Sequence, residues 1–307
     1  MTEEKINTRV AILCATKNGE PWIAEQVESI LSQFGLVVDI FFSDDHSSDG
    51  TVDWLKTKSC IDSRVHILPP SEKFGSAAMN FFRLFRDVNF DQFDYVALAD
   101  QDDIWMLDKL SHAVTCMQRE RCEGYSSDLI AFDNKRKCSW YLGKSDIEQE
   151  VDYLFQGASA GCTYVLSKKA AQLVKANLVI NQGYCHSKLS HDWLIYAICR
   201  SHGLTWVQDS DARIFYRQHG GNAYGALPGV SGIIQRAKKV QSGWYRDHAL
   251  ELKKFLLGAS VEEQAVFLAI ERYGYKDRIW LVLNAYKFRR TQRDILLLRV
   301  SFILGLF

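Results

Sequence analysis

Three carboxylates close together are the residues of this sequence that most clearly suggest a chemical role. Asp100, Asp102 and Asp103 directly follow Tyr95–Ala99, an uninterrupted apolar run. Such a run is typical of a buried parallel strand, and α/β proteins bind their ligands in the crevice at the carboxyl ends of these strands. Because like charges this close repel one another, a cation is the expected partner of the cluster.

Hard divalent cations fit this cluster best. Mg²⁺ and Mn²⁺ take oxygen ligands and usually bridge one or two carboxylates to substrate phosphates, so the stretch predicts a metal–diphosphate site. An acidic turn in which Asp103 caps a helix starting near Trp105 is the alternative interpretation. A calcium EF-hand does not fit, because the loop lacks the glycine and the glutamate that such loops require.

The segments before the acidic cluster predict the scaffold that positions it. Arg9–Thr16 and residues 37–43 are further apolar runs, each followed by a polar turn and a helical pattern, and a short third strand is predicted over 64–68. Strands that alternate with helices at this spacing indicate a parallel sheet built from βαβ units. We therefore expect Thr16, the aspartates at 44 and 45 and the central cluster to lie at one edge of this sheet.

Two later segments contain further candidate residues. The predicted strand over 156–166 is rich in glycine and alanine, which leaves room for a ligand to approach the backbone. His191 and Asp192 begin a segment that is apolar on nearly all faces and is therefore expected to form a buried helix. Short strands are predicted over 205–207 and 212–217.

The last part of the chain has a different character. Helices are predicted over roughly 230–240, 244–257, 261–272 and 275–307, so we divide the chain into an α/β domain of residues 1–225 and a helical region of residues 226–307. The final thirteen residues are an almost wholly apolar run, which is short of the roughly 20 needed to span a bilayer. Because basic residues precede this run, peripheral contact of residues 287–307 with an anionic membrane is one interpretation. Packing against the same domain or a second subunit is the other.

The composition is that of an ordinary globular protein. Of 307 residues, 47% are hydrophobic and 24% are charged. The net charge is zero, but residues 231–307 carry fourteen Lys/Arg against seven Asp/Glu, so the rest of the chain is acidic, which argues against nucleic acid as a partner. Eight cysteines show no CxxC pair and no metal-ligand spacing, and no signal peptide is recognisable. We therefore expect a reduced, cytoplasmic setting without disulfides.

A family resemblance is carried by five short stretches: Ala-Thr-Lys-Asn-Gly at 15–19, Ser-Asp-Asp-His-Ser-Ser-Asp-Gly-Thr at 43–51, Ala-Asp-Gln-Asp-Asp-Ile-Trp at 99–105, His-Asp-Trp at 191–193 and Tyr-Arg-Gln-His-Gly at 216–220. In this order and spacing, the chain resembles the family-2 glycosyltransferases over roughly residues 9–222. It looks most like their bacterial polysaccharide branch, which includes rhamnosyltransferases. The resemblance implies the GT-A fold, a Rossmann-like and mostly parallel sheet flanked by helices, and it covers the C-terminal helices poorly.

The resemblance also implies nucleotide-sugar-binding roles for individual residues. Asp45 matches the aspartate that hydrogen-bonds the nucleotide base, Thr16 matches a nucleotide-contacting position, and Asn80 lies where a loop approaches the sugar nucleotide. Asp100 matches the ribose-binding member of the family's DxD motif. His191 is a further candidate, which orients the acceptor or simply packs. Helix capping by Asp45 and a turn hydroxyl at Thr16 are the alternative roles.

Metal binding and catalysis are implied at the same edge of the sheet. Asp102, with Asp103 and His219 as further candidates, would hold Mg²⁺ or Mn²⁺ against the diphosphate. Asp192 matches the catalytic base, which takes the proton of the acceptor hydroxyl as that hydroxyl attacks. A structural charge at a helix N-terminus is the alternative role for Asp192.

The function that these matches imply is that of an inverting, metal-dependent glycosyltransferase that adds a single sugar to a bacterial surface polysaccharide or O-antigen intermediate. The QxxRW signature of processive synthases is absent. The branch suggests dTDP-L-rhamnose as donor, with UDP-hexoses as competitors, and a lipid-linked glycan acceptor. The enzyme would then be cytoplasmic or peripheral on the inner face of the membrane, and a homo-oligomer is one arrangement. The alternatives are a non-catalytic nucleotide-sugar or glycan-binding module and a nucleotidyltransferase, although residues 16–19 lack the Gly-rich loop expected of the latter.

Overall fold

The computed structural model describes residues 8–186, 189–219, 243–256 and 260–307. The domain division expected near residue 225 and the helix expected over 230–240 lie outside these residues, so both stay predictions. The glycine that ends the stretch at 216–220 lies outside them too.

The described residues form eleven strands: Arg9–Thr16 (β1), Val37–Asp44 (β2), Val65–Ile67 (β3), Tyr95–Ala99 (β4), Ile104–Trp105 (β5), Gly124–Ser127 (β6), Leu129–Asp133 (β7), Cys138–Leu142 (β8), Val165–Ser167 (β9), Trp206–Asp209 (β10) and Ile214–Arg217 (β11). Seven of them form the central sheet in the order β10-β6-β9-β4-β1-β2-β3. In this sheet β9 is antiparallel to β4 and β6, and the other neighbouring pairs are parallel. The mostly parallel sheet expected from the sequence is confirmed.

Six helices cover the two faces of the central sheet: Ile23–Leu31 (α1), Thr51–Ile61 (α2), Ala77–Asp87 (α3), Lys109–Glu120 (α4), Lys168–Ile180 (α5) and His191–Ser201 (α6). Side chains of α1, α2 and α4 pack on one face, and those of α3, α5 and α6 pack on the other. Alternate residues of β1 join the two layers, Ile12 the first and Leu13 the second. This two-sided burial is the reason that β1 and β4 are continuous apolar runs in the sequence.

A smaller sheet lies beside the central one, with its strands in the order β5-β11-β7-β8. The sequence pattern predicts no strand over 122–146, where β6, β7 and β8 form, because these strands are short and the β7–β8 turn is highly charged. The strand predicted over 156–166 is also wrong in extent. Gly161–Thr163 forms a 3₁₀ turn, and β9 begins only at Val165.

Among the described residues of the C-terminal region there are four helices: Trp244–Lys253 (α7), Val261–Arg272 (α8), Tyr275–Asn284 (α9) and Gln292–Leu304 (α10). The single helix predicted over 275–307 is therefore two helices, separated by a 3₁₀ turn at Ala285–Lys287. Phe155, which lies before β9, stacks on Phe288 with 4.5 Å between ring centroids and also contacts Phe302 and Phe307. The C-terminal helices thus share a core with the α3–α5–α6 side of the sheet. None of the helices in the described ranges is long and apolar enough to cross a bilayer.

Candidate active site

The carboxyl ends of β1, β2 and β4 meet at one edge of the central sheet, as predicted. Thr16 lies opposite Asp44 in the β1–β2 pair, and Cys14 lies opposite Ala99 in the β1–β4 pair. The loops that follow these three strands are therefore neighbours. They carry all the candidates from the first half of the chain except Asn80, which lies on α3.

Asp45 fixes the wall of the crevice after β2. Its two carboxylate oxygens accept hydrogen bonds from the backbone N–H groups of Phe74 at 2.5 Å and Gly75 at 2.9 Å, and the side chain is buried. The loop before α3 is thereby held against the end of β2. A carboxylate can accept about four hydrogen bonds in all, so these contacts leave Asp45 able to accept one more from a nucleotide base.

Thr16 and Asn80 tie the ends of β1 and β2 together. The Thr16 hydroxyl donates to Asp44 at 2.9 Å, and the Asn80 amide donates to the carbonyls of Ser43 at 2.8 Å and Thr16 at 3.3 Å. Both side chains are buried. Their contacts favour a positioning role, and their predicted contact with the nucleotide stays a prediction.

Gln101, which the sequence does not single out, connects the β1 loop to the acidic cluster. Its side-chain oxygen accepts from the Lys17 N–H at 2.8 Å, and its side-chain nitrogen donates to the Lys17 carbonyl at 2.9 Å. A Cβ atom on Gly19 would lie 2.4 Å from the Gln101 oxygen. The close approach therefore explains the glycine at the end of the 15–19 stretch.

The acidic cluster carries more negative charge than its surroundings balance. Burial, together with the charges of Asp102 and Asp192, raises the pKa of Asp100 to about 7. Burial and the charges of Asp102 and Asp100 raise the pKa of Asp103 well above its usual range. One Asp103 oxygen accepts from the Arg217 N–H at 3.2 Å, whereas the other is buried and has no hydrogen-bond partner in the described part of the chain. A bound cation would stabilise both carboxylates in their charged form.

Two cationic side chains lie behind the cluster. Arg217 donates to the Asp102 carbonyl at 2.8 Å and pairs with Glu25, so β11 holds the acidic loop from outside. Lys109 is fully buried, with its Nζ 3.5 Å from the centroid of the Trp105 ring, and burial lowers its pKa to about 7. The sequence pattern places neither residue in the site, although Arg217 lies inside one of the five matching stretches.

The candidate metal ligands fall into two groups. Asp102 is hydrogen-bonded to Nε2 of His219 at 2.6 Å, and the His219 ring stacks on Trp22 with 3.9 Å between centroids. Ligand atoms of Asp100, Asp103 and Cys162 all lie within 4.8 Å of one another. The Cys162 sulfur is a soft ligand and therefore suits a hard ion poorly, and burial raises the pKa of this thiol. The buried carboxylate oxygens are the part of this donor set that fits Mg²⁺ or Mn²⁺.

Asp192 lies in the first turn of α6 and faces the acidic cluster. Its carboxylate accepts hydrogen bonds from the Ser190 hydroxyl and from the Trp193 N–H at 2.8 Å. The helix N-terminus stabilises its negative charge. The Asp192 Cβ lies 3.3 Å from where a Cβ on Gly161 would be, and the ligand atom of the next residue, Cys162, lies within 4.8 Å of those of Asp100 and Asp103. Asp192 is therefore close to the acidic cluster, and its charge contributes to the raised pKa of Asp100.

His191 packs beside Asp192 and presents an unused polar atom. Its ring stacks on Phe81 with 4.2 Å between centroids, and its Nε2 is buried without a hydrogen-bond partner among the described residues. Burial lowers the pKa of His191, so the ring is neutral near pH 7. The ligand space expected beside the glycines of 156–166 is instead filled by protein at Gly161, where a Cβ atom would lie 2.7 Å from the His191 Nε2 and 3.3 Å from the Asp192 Cβ.

Three of the four basic residues before the terminal apolar run, Lys287, Arg289 and Arg290, contact other parts of the protein. Arg290 forms a buried ion pair with Asp152 at 2.6 Å and donates to the Ala158 carbonyl at 3.0 Å. Arg289 donates to Gln156 at 3.1 Å, and Lys287 pairs with Glu150 at 2.8 Å. A sequence run cannot show this, because the partners lie about 130 residues earlier in the chain. These contacts anchor the C-terminal helices to the segment that leads into the site.

The fold and the arrangement of acids at the sheet edge are those expected of a glycosyltransferase with the GT-A fold, and the comparisons with known proteins agree. The family model described as Glycosyl transferase family 2 matches residues 11–162. The dTDP-rhamnosyl transferase RfbG of Shigella flexneri is 33% identical over 294 residues, which cover 95% of this chain and 100% of that protein. The chain belongs to glycosyltransferase family 2, and it is a glycosyltransferase. This membership decides against the nucleotidyltransferase alternative.

Further similarities concern shorter segments or the fold alone. The UDP-Glc:alpha-D-GlcNAc-diphosphoundecaprenol beta-1,3-glucosyltransferase WfgD of Escherichia coli is 25% identical over 159 residues, covering 51% of this chain and 59% of that protein. The crystal structure of S. aureus TarS 1-349 in complex with UDP-GlcNAc has a TM-score of 0.59 at 14% identity, covering 97% of this chain and 80% of that one. The mannosyltransferase PcManGT from Pyrobaculum calidifontis, in complex with GDP-Man and Mn²⁺, has a TM-score of 0.51 at 15% identity, covering 97% of this chain and 86% of that one. Both structures support the GT-A fold.

Proposed function

We propose that the protein is an inverting, divalent-metal-dependent enzyme that transfers one L-rhamnosyl unit from dTDP-L-rhamnose to a bacterial surface polysaccharide or O-antigen intermediate. The observation that carries this proposal is the closeness of Asp192 to Gly161, whose neighbour Cys162 lies against the buried carboxylates of Asp100 and Asp103. The donor is inferred from the similarity to RfbG over almost the whole chain. UDP-hexoses remain the competing donor class.

Asp192 is the general base in this proposal. The acceptor hydroxyl oxygen attacks the anomeric carbon, the bond between that carbon and the diphosphate oxygen breaks, and the hydroxyl proton passes to the Asp192 carboxylate. The diphosphate leaves with the bonding electrons on the opposite side, so the configuration inverts. The Ser190 hydroxyl and the Trp193 N–H orient the carboxylate for this transfer.

The acidic cluster holds the diphosphate end of the donor. Asp102 and Asp103, with Asp100 toward the ribose, would ligate Mg²⁺ or Mn²⁺, and His219 orients Asp102. A bound divalent ion supplies Lewis-acid stabilisation of the charge that grows on the leaving diphosphate. Asp45 binds the base from the far side of the crevice, with Thr16 and Asn80 shaping its floor. His191, packed between Phe81 and Gly161, positions the adjacent Asp192.

A donor panel tests this assignment. The protein is incubated with dTDP-L-rhamnose, UDP-glucose, UDP-GlcNAc and GDP-mannose, each with Mg²⁺, with Mn²⁺ or with EDTA, and released nucleoside diphosphate is measured. We expect turnover of dTDP-L-rhamnose only, and only with a divalent ion. Preferred turnover of a UDP-hexose overturns the donor assignment, and equal turnover in EDTA overturns metal dependence.

The acceptor is proposed to be lipid-linked, with the enzyme bound to the membrane through α9 and α10. These helices expose several large apolar side chains, among them Leu283, Leu296 and Leu297. The name of the relative WfgD specifies a diphosphoundecaprenol-linked acceptor. Because Lys287, Arg289 and Arg290 form intramolecular contacts, burial of apolar area is the main driving force expected here.

Vesicle sedimentation tests the membrane proposal. Replacing both Leu296 and Leu297 by glutamate should abolish binding to vesicles of mixed neutral and anionic lipid. Ile61→Glu, at an exposed apolar residue on α2, is the matched control and should leave binding unchanged. If the parent protein does not bind vesicles, the membrane proposal is wrong. If it forms a dimer that the double variant loses, this surface contacts a second subunit instead.

A further inference from the structure

A second group of metal-ligating side chains lies three strands away from the acidic cluster, between α4 and the end of β10. His112 and Cys116 are four residues apart, so they share one face of α4. Asp209 ends β10, and Asp211 follows in the loop to β11. Cysteine spacing in the sequence cannot reveal this group, because its other members are a histidine and two aspartates, and the aspartates lie at distant positions in the chain.

The ligand atoms of this group converge. The Cys116 sulfur lies 3.5 Å from the His112 Nε2 and 3.7 Å from an Asp209 carboxylate oxygen. The same histidine nitrogen lies 3.8 Å from an Asp211 oxygen and 2.7 Å from the Asp209 oxygen. The ligand atoms of His112, Cys116 and Asp209 all lie within 4.8 Å of one another.

Three of these four separations match a tetrahedral zinc site. Zinc–ligand bonds of about 2.0–2.3 Å place the ligand atoms of a tetrahedron roughly 3.3–3.8 Å apart. Three of the four measured distances fall in or at the edge of this range. The fourth, between His112 and Asp209, is a direct hydrogen bond and must open by about 1 Å when an ion enters.

The surroundings also fit a metal site. The hydroxyl of Tyr125 donates to the ligating Asp209 oxygen at 3.0 Å, and the Asp211 N–H donates to the other oxygen at 3.0 Å. Such outer hydrogen bonds orient ligating carboxylates in metalloproteins. Cys116 is buried, whereas the side chains of His112 and Asp211 are 25% and 49% exposed. An ion can therefore enter from solvent.

We propose that His112, Cys116, Asp209 and Asp211 form a Zn²⁺ site that links α4 to the β10–β11 connection. The set of one imidazole, one thiolate and two carboxylates is of the type that zinc binds. Zinc replaces the Cys116 thiol proton, which is released to solvent, and the imidazole binds in its neutral form. This site is independent of the proposed sugar transfer, since Mg²⁺ and Mn²⁺ prefer the all-oxygen cluster.

Cobalt substitution tests the site. The metal-depleted full chain is titrated with Co²⁺ in excess Mg²⁺, which occupies the acidic cluster, and sulfur-to-cobalt charge-transfer absorption is recorded. We expect a tetrahedral spectrum with this band at one equivalent of Co²⁺, displaced by Zn²⁺. Cys116→Ser should lose the band. Cys60→Ser, at an exposed cysteine on α2, should keep it.

Two milder variants guard against misfolding of Cys116→Ser. His112→Gln should weaken Co²⁺ affinity by more than about tenfold, and Tyr125→Phe by about tenfold, because outer-shell changes typically cost 10–100-fold. Circular dichroism confirms that each variant is folded. A parent protein without the sulfur-to-cobalt band, a band that persists in folded Cys116→Ser, or unchanged affinity in His112→Gln overturns the proposal.

Discussion

Gly161→Ala is a small change with a large predicted effect on catalysis. The added Cβ would lie 2.7 Å from the His191 Nε2 and 3.3 Å from the Asp192 Cβ. An ordinary contact needs about 3.5 Å, so the His191 ring must move by roughly 0.8 Å. The ring cannot turn away freely, because it stacks on Phe81 at 4.2 Å. The N-terminus of α6, and with it the Asp192 carboxylate, is therefore expected to shift.

The size of the effect follows from this displacement. A misplacement of about 1 Å at a reacting group can cost about 100-fold in rate, which corresponds to about 2.7 kcal/mol in the activation free energy. We expect kcat for release of dTDP from dTDP-L-rhamnose to fall by about this factor. Affinity for dTDP should change little, because Asp45 is held by the N–H groups of Phe74 and Gly75 and not by the residues that surround Gly161.

Gly183→Ala is the matched control. No atom of the described residues lies within 4 Å of a Cβ built at Gly183, and its backbone is not in the left-handed region. Its kcat should equal that of the parent protein. If folded Gly161→Ala keeps kcat within about twofold of the parent, the inferred tight fit of the glycine against the His191–Asp192 pair is wrong, or the pair is not catalytic.

Two further predictions concern stability. Arg290→Met removes the 2.6 Å ion pair of buried Asp152, which keeps a longer contact with Arg200 at 3.8 Å and hydrogen bonds from Tyr196 and Gln149. The free energy of unfolding in urea should therefore fall by about 3 kcal/mol, the lower end of the range for breaking a buried pair. Exposed Arg293→Met is the control, and a loss of less than about 1 kcal/mol for Arg290→Met would contradict the inferred anchoring. Burial raises the pKa of Asp100 from 3.8 to about 7. The neutral form of Asp100 therefore contributes to the free energy of unfolding, and this contribution is complete below pH 3.8 and is lost as pH rises through about 7. In EDTA, Tm should fall as pH rises over this range, and Mg²⁺ should reverse the fall at pH 8. Asp100→Asn should weaken the dependence of Tm on pH. An identical profile of Tm against pH for this variant would contradict the inferred charge imbalance of the cluster.

The sequence predicted best where one physical rule dominates. Strands buried on both faces must be continuously apolar, so the runs that became β1, β2 and β4 were visible, and parallel strands place their ends at one edge. The approach of Thr16 to Asp44 follows from that rule. The position of Asp192 came instead from the family resemblance, since nothing in the local pattern brings residue 192 near residue 100.

Long-range side-chain contacts could not be predicted from the sequence. Gln101 and Arg217 are polar residues in loops and strand ends, and only the fold shows that they hold Lys17 and the Asp102 backbone. Arg290 belongs to a basic run that suggests a surface, yet its partner Asp152 draws it into the interior. The strand predicted over 156–166 failed because small residues there serve the approach of α6, not a pleated strand.

The most direct test of the central claim compares Asp192→Asn with the parent protein and with Asp53→Asn, which changes an exposed carboxylate on α2. Single-turnover release of dTDP from dTDP-L-rhamnose and calorimetric donor binding are measured on the same samples with Mg²⁺. We predict that Asp192→Asn keeps donor affinity but loses about 10²–10⁴-fold in rate, the range of general-base catalysis, while Asp53→Asn matches the parent. A rate for Asp192→Asn within about threefold of the parent would contradict the assignment of Asp192 as the base.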